Sequence, residues 1–247
     1  MITIKSHKEI DCMRKAGKIV SGTFEELKKA IKPGISTKEL DRIAYEYIKS
    51  NGATPSFLGY GGFPGSICAS VNDQVIHGIP DGTKLKDGDI ISIDIGACYK
   101  GFHGDSAKTF PVGNVSKEAQ KLIDVTRQSF YEGIAFAKRG NRIVDISSAI
   151  QSYVEKHGYG IVRDYTGHGI GSSLHEEPSV LNYVTKVRGP RMLAGMTIAV
   201  EPMVTAGHYD VYVEDNDWTV CTEDGSLAAH YEHTILITDG ECEILTR

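Results

Sequence analysis

Apolar residues recur every three or four positions near the start of the chain. Ile10, Met13, Val20, Phe24, Leu27 and Ile31 share one helical face, which predicts an amphipathic helix over residues 6–31. Ser6 followed by Glu9 has the pattern of a capping box, and Pro33-Gly34 stops the helix. Ser36 with Glu39 opens a second helix on Leu40, Ile43, Tyr47 and Ile48, which Asn51-Gly52 ends. Past a glycine-rich stretch (59–65) the pattern changes. "ISIDIGACYKGFHGD" (91–105) reads as a buried strand, a turn at Lys100-Gly101 and a returning strand. A third helix is predicted over 116–137, with Leu122, Ile123, Phe130 and Ile134 on its apolar side.

The pattern then repeats. "KRG" (138–140) lies over "KPG" (32–34) at an offset of 106, which also superposes Phe24 on Phe130, Tyr47 on Tyr153 and Gly52 on Gly158. "GTKLKDGDIISID" (82–94) lies over "GPRMLAGMTIAVE" (189–201) at 107. "HGD" (103–105) lies over "HYE" (230–232) at 127, so the second half carries an insertion. "HGIP" (77–80) lies more loosely over "HEEP" (175–178). The expectation is one domain, 1–247, built from half-repeats of about 6–113 and 114–247. Each half is helix–helix followed by an antiparallel hairpin, with one carboxylate mid-strand and another on the returning strand.

Those carboxylates are Asp94, Asp105, Glu201 and Glu232, all in or beside apolar strand-like sequence. An ionised carboxylate in such surroundings persists only if paired, hydrogen-bonded or bound to a cation. If the halves pack about a pseudo-two-fold axis, the four acids converge and repel, and two divalent ions would neutralise them. Oxygen-dominated ligands suit Mn²⁺, Mg²⁺, Fe²⁺, Co²⁺ or a carboxylate-type zinc site. Histidine often completes such a set. His168, between glycines in "TGHGIG", is the first candidate, with His175 and His77 nearby in motif. His103, His230 and His233 flank the acids as possible partners of the ligands. His7, His157 and His208 read as ordinary surface or loop residues.

Composition is that of an ordinary globular protein, 40% hydrophobic and 24% charged over 247 residues. The net charge of −5 offers no basic surface for nucleic acid. The five cysteines are scattered and form no C-x-x-C pair, so neither a disulfide framework nor a thiolate zinc site is expected, and a reducing cytoplasm is the expected compartment. No apolar run approaches the ~20 residues of a membrane span. The spacing of His168 and His175 is not H-E-x-x-H, and neither a phosphate loop nor a G-x-S-x-G elbow is present. Cys68 reads as a core or pocket residue rather than a nucleophile.

In order and spacing, "HGIP" (77–80), "DGDIISIDIG" (87–96), "GFHGD" (101–105), "GHGIG" (167–171), "HEEP" (175–178), "EPM" (201–203) and "YEHT" (231–234) resemble the type I methionine aminopeptidases over essentially the whole chain. That resemblance implies the pita-bread fold, an α/β (α+β) arrangement of two related halves around a central antiparallel sheet. It implies two divalent ions (Co, Mn, Fe or Zn) on Asp94, Asp105, His168, Glu201 and Glu232, with Asp105 and Glu232 bridging. The implied reaction removes the initiator methionine from nascent chains whose second residue is small. Glu201 would shuttle a proton, His175 would donate to the developing oxyanion, and His77 would contact the peptide nitrogen.

By the same resemblance, Tyr60, Phe63, Cys68, His77, Leu174, His175 and Trp218 line the methionine pocket. Leu174 replaces an aromatic residue of some relatives, and Phe63 lacks the hydroxyl of a tyrosine found in others. There is no large insertion between His175 and Glu232 of the type II kind. Nascent N-termini near the ribosome are the expected partners, the cytoplasm is the expected compartment, and a monomer is the default expectation. Two other readings remain at this point. One is an Xaa-Pro aminopeptidase or prolidase of the same fold, which normally carries an extra amino-terminal domain. The other is a non-catalytic peptide-binding homologue, which should lack ligands that this chain retains.

Overall fold

The first predicted helix forms as α1 (His7–Ala30), and the capping box closes as expected. The Ser6 hydroxyl accepts from the Glu9 N–H, while the Glu9 carboxylate accepts from the Ser6 N–H at 2.6 Å. In this computed structural model, which describes residues 1–247, α2 (Thr37–Ser50) follows with Ser36 as its cap. Strands β1 (Thr54–Pro55), β2 (Cys68–Val71), β3 (Gln74–Ile76), β4 (Ile90–Tyr99) and β5 (Phe102–Pro111) complete the first half. The second half begins with α3 (Lys117–Ile134) and α4 (Ile143–Lys156). It continues through β6 (Gly160–Ile161), β7 (Gly167–Gly169), β8 (Glu176–Val180), β9 (Thr197–Val200), β10 (Met203–Thr205) and β11 (Val211–Val213). The last strands are β12 (Val220–Thr222), β13 (Ala228–His230), β14 (His233–Leu236) and β15 (Glu243–Ile244).

The hairpin β4–β5 turns at Lys100-Gly101, where both residues have positive φ (50° and 82°). Two consecutive left-handed residues match the twist of a tight hairpin, and a β-branched residue would not adopt them cheaply. On its other edge β4 carries β1 and β2. A five-stranded sheet runs β15-β14-β9-β7-β8, and two three-stranded sheets run β13-β10-β6 and β11-β12-β3. Helices α1 and α2 cover β4 through Phe24, Leu27, Leu40, Ile48, Ile91, Ile93 and Ile95, all buried. Helices α3 and α4 pack Leu122, Phe130, Ile146 and Ile150 against Ile198, Val200 and Ile235.

Corresponding contacts recur in the two halves. The Gly34 N–H donates to Leu85 O and the Gly140 N–H to Met192 O; Thr37 N–H donates to Thr83 O and Ile143 N–H to Pro190 O. The isolated bridges Ser36↔Lys84 and Arg142↔Arg191 match in the same way. Gly34 and Gly140, Gly52 and Gly158, and Gly88 and Gly195 all take positive φ. The third helix stops at Ile134, short of the expected 137, because the chain must turn to bring Gly140 against Met192.

The second hairpin departs from the expected pattern. Asp94 lies mid-strand, but Glu201 falls just after β9 and Glu232 just before β14. Pro202 has no N–H to donate, so the ladder breaks there. β9 pairs with β14 up to Val200↔His233, and pairing resumes in another sheet at Met203↔His230. Between β10 and β13 lies the insertion implied by the shifted offset. It is the hairpin β11–β12, whose second strand pairs with β3 of the first half.

Candidate metal centre and adjoining pocket

Strand register explains why acids far apart in sequence meet. In β4–β5 Asp94 lies opposite Ala107, and Asp105 lies opposite Gly96. Asp94 and Asp105 are therefore diagonal neighbours on one face. Cys68 lies opposite Asp94 on the other edge of β4. Ala107 and Glu232 exchange both backbone hydrogen bonds, at 2.8 and 3.3 Å, which places Glu232 across from Ala107. Cys68, Asp94, Ala107 and Glu232 thus form one row across four segments. The small methyl of Ala107 leaves room between the two acids.

Threonines tie this seam. The Thr234 hydroxyl accepts from the Asp105 N–H and donates to Asp105 O. Thr109 does the same for His230. Asn182, fully buried, donates to Glu201 O at 3.0 Å where the ladder breaks.

Ligand atoms of Asp105, His168 and Glu232 lie within 4.8 Å of one another, as do those of Glu201, His230 and Glu232. Asp94 Oδ1, Asp105 Oδ1, Glu232 Oε1 and His230 Nε2 are buried with no hydrogen-bond partner. Burial holds the Asp94 carboxyl up at about 7. Burial and mutual repulsion push Asp105, Glu201 and Glu232 well above the usual carboxylate range. The His168 Nδ1 sits 2.8 Å from Gly169 O. A carbonyl only accepts, so Nδ1 carries the proton and Nε2, 3.6 Å from Glu201 Oε1, is left with a free lone pair. Burial holds the ring down at about 4, hence neutral at pH 7. Clustered acids with unpartnered oxygens beside a neutral imidazole fit divalent cations.

One cavity of about 150 Å³ joins these side chains to an apolar wall. It is lined by every residue expected from the sequence: Tyr60, Phe63, Cys68, His77, Leu174, His175 and Trp218, besides Asp94, Asp105, His168, Glu201 and Glu232. Phe63 and Trp218 meet edge-on at 5.1 Å, and Trp218 lies 6.4 Å from the His77 ring. Trp218 arrives on the inserted hairpin, where the Asn216 side chain accepts from its N–H. Burial holds His77 down at about 4 and lowers His175 as well. The His175 ring lies 4.2 Å from His168, and its Nδ1 is 2.8 Å from the Tyr60 hydroxyl.

Sequence reasoning missed Phe57, which also lines the cavity; nothing in its local pattern separates it from a core phenylalanine. Of the three histidines flanking the acids, only His230 faces them, at 3.7 Å from Glu201 and 4.0 Å from Glu232. His233 turns the other way, toward Thr246 and Tyr231, and His103 bonds to Ser56. His230 and His233 are three residues apart on either side of the strand break, so their side chains leave in different directions.

The model of metallopeptidase family M24 matches residues 11–239. The methionine aminopeptidase of Clostridium acetobutylicum is 57% identical over 247 residues, covering 100% of this chain and 99% of that protein. The crystal structure of methionine aminopeptidase from Rickettsia prowazekii superposes with a TM-score of 0.98 at 43% identity, each chain fully covered. A prolidase from Pyrococcus furiosus shares the fold alone, with a TM-score of 0.81 at 23% identity; this chain covers 99% of itself but 65% of that one. The chain belongs to metallopeptidase family M24 and, within it, to the type I methionine aminopeptidases.

Proposed function

We propose that the protein removes the N-terminal methionine from peptides and nascent proteins whose second residue is small. The observation that carries this reading is a single cavity with unpartnered, cation-fitting acids at one end and an aromatic and apolar wall at the other. An unbranched thioether fits such a wall, because sulfur gains from contact with aromatic rings. Asp94, Asp105, His168, Glu201 and Glu232 are the residues that would hold two divalent ions. When bound, such ions acidify a water and polarise a carbonyl.

The chain's own residues do the rest. Glu201 accepts a proton from the attacking water and passes it to the leaving amine. His175, whose ring pKa is pushed down by desolvation, donates from Nε2 to the carbonyl oxygen as charge develops there. His77, neutral by burial, contacts the peptide nitrogen beyond the scissile bond. Phe57, Phe63, Leu174 and Trp218 keep water from the methionine side chain. All five cysteines are unpaired, which fits a reducing compartment. We place the protein in the cytoplasm, acting as a monomer on nascent N-termini near the ribosome.

Release of methionine from Met-Ala-Ser is the direct test, run beside Leu-Ala-Ser and an Xaa-Pro peptide, with Mn²⁺, Co²⁺, Fe²⁺ or Zn²⁺ added and a chelator control. The expected result is cleavage of the methionyl peptide alone, abolished by chelation. Preference for the Xaa-Pro peptide would contradict it.

A further inference from the structure

Lys5 and Glu176 form an ion pair of 2.6 Å whose side chains are only 5% and 11% exposed. Its position is unusual, because Glu176 directly follows His175. The second oxygen of Glu176 accepts from the Ser173 N–H at 3.2 Å, on the other side of His175. The Gly171 N–H donates to Ser173 O at 3.0 Å, and Gly171 O accepts from the His103 N–H at 2.9 Å. The turn bearing His175 is thus tied to β5 at one end and to a buried carboxylate at the other. A Cβ at Gly171 would collide with the Lys5 side chain and with Glu176, so the pair occupies the space that this glycine leaves.

Lys5 is anchored in its turn. Its own N–H donates to Gly195 O at 2.9 Å, in the turn that leads into β9 and Glu201. Thr3 adds a second bond to the same Glu176 oxygen, at 2.8 Å. Without Lys5, the Glu176 carboxylate would be left buried and short of charge, and it would relax toward water. His175 is the adjacent residue and would move with it.

We infer that the Lys5–Glu176 pair is a positioning device for His175, which makes the N-terminal segment part of the catalytic apparatus. This rests on the role given to His175 above. A misplacement of about 1 Å at a catalytic group is enough to cost one to two orders of magnitude in rate.

The test uses Lys5→Met, which keeps the stem and removes the charge, and Glu176→Gln, which keeps the shape. Each is made alone and combined with His175→Ala, and each is assayed on Met-Ala-Ser with saturating Mn²⁺. Expected for either single variant is a fall in kcat of about tenfold, with KM and bound metal within about twofold of wild type. Expected for each double variant is the turnover of His175→Ala alone, since a pair acting through His175 has nothing left to act on. Unchanged kcat in a folded Glu176→Gln protein overturns the proposal. So does a double variant that loses the same further factor below His175→Ala. If His175→Ala itself keeps wild-type turnover, the role of His175 fails first and the positioning role falls with it.

Discussion

The Thr234 hydroxyl bonds both the N–H and the C=O of Asp105, each at 2.9 Å. One side chain from the second half thereby completes the backbone hydrogen bonding of Asp105 in the first. Thr109 answers from β5 by bonding both backbone groups of His230 at the same 2.9 Å. Both threonines are buried or nearly so. The seam between the halves is therefore closed by side chains where no continuous backbone ladder runs.

Thr234→Val keeps the shape and removes the hydroxyl. It leaves a buried N–H and C=O unpaired, at a cost of roughly 2–4 kcal/mol. Asp105 also loses its fixed backbone, so metal affinity should fall. Urea unfolding of the chelated protein and a Mn²⁺ titration measure the two effects separately. Unaltered affinity would show that Asp105 is held by other means.

Metal and protons compete for the same oxygens. The folded-state value of Asp94 is raised to about 7, and those of Asp105, Glu201 and Glu232 lie well above their ordinary values. In the unfolded chain these acids ionise near pH ~4. Between those limits the folded, metal-free protein binds more protons than the unfolded one. Its stability is therefore greatest below the unfolded values and falls as pH rises through about 7. Bound cations displace those protons. The rise in Tm on adding Mn²⁺ should accordingly be small near pH ~5.5 and larger near pH ~8. A rise independent of pH would mean that the acids are already ionised without metal.

The Tyr60 hydroxyl lies 2.8 Å from Nδ1 of His175. Donation from Nε2, as proposed above, requires the phenol to be the hydrogen-bond donor here, with Nδ1 unprotonated. Tyr60→Phe should lower kcat about tenfold with a smaller change in KM, in line with one hydrogen bond to a polar ring. Nitrogen NMR of the His175 ring supplies the check: an unprotonated Nδ1 in the wild type is required.

Asp105→Asn removes a charge from the ligand set without changing its size. Metal analysis after dialysis should find at least one ion per protein fewer than in the wild type, and turnover should fall to the limit of detection. A variant with undiminished metal content would exclude Asp105 as a shared ligand. Compared with it, His175→Ala should keep its metal while losing roughly 10²–10³ in rate.

Local signals carried much of the architecture. The period of apolar residues marked the faces of α1, α2 and α3, and Ser6 with Glu9 marked where the first begins, because caps and periods are properties of a few adjacent residues. Repeated glycines marked positions whose backbone contacts correspond, such as Gly34 and Gly140. The motif set pointed to residues that the fold gathers around one cavity, since a reactive centre demands particular side chains at particular spacings.

Tertiary structure decided what depends on residues that meet only after folding. Pro202 divides the second hairpin between two sheets, which moves Glu201 and Glu232 off their strands. Phe57 enters the cavity while the adjacent Leu58 stays 47% exposed, and His230 faces the acids while His233 turns to Thr246. Lys5 reaches Glu176 across 171 positions of chain. Residue type and local order determined the elements and the donor atoms. Which way a side chain faces, and what it touches, followed from the packing of those elements, because direction at a strand break is set by distant neighbours and by no pattern along the chain.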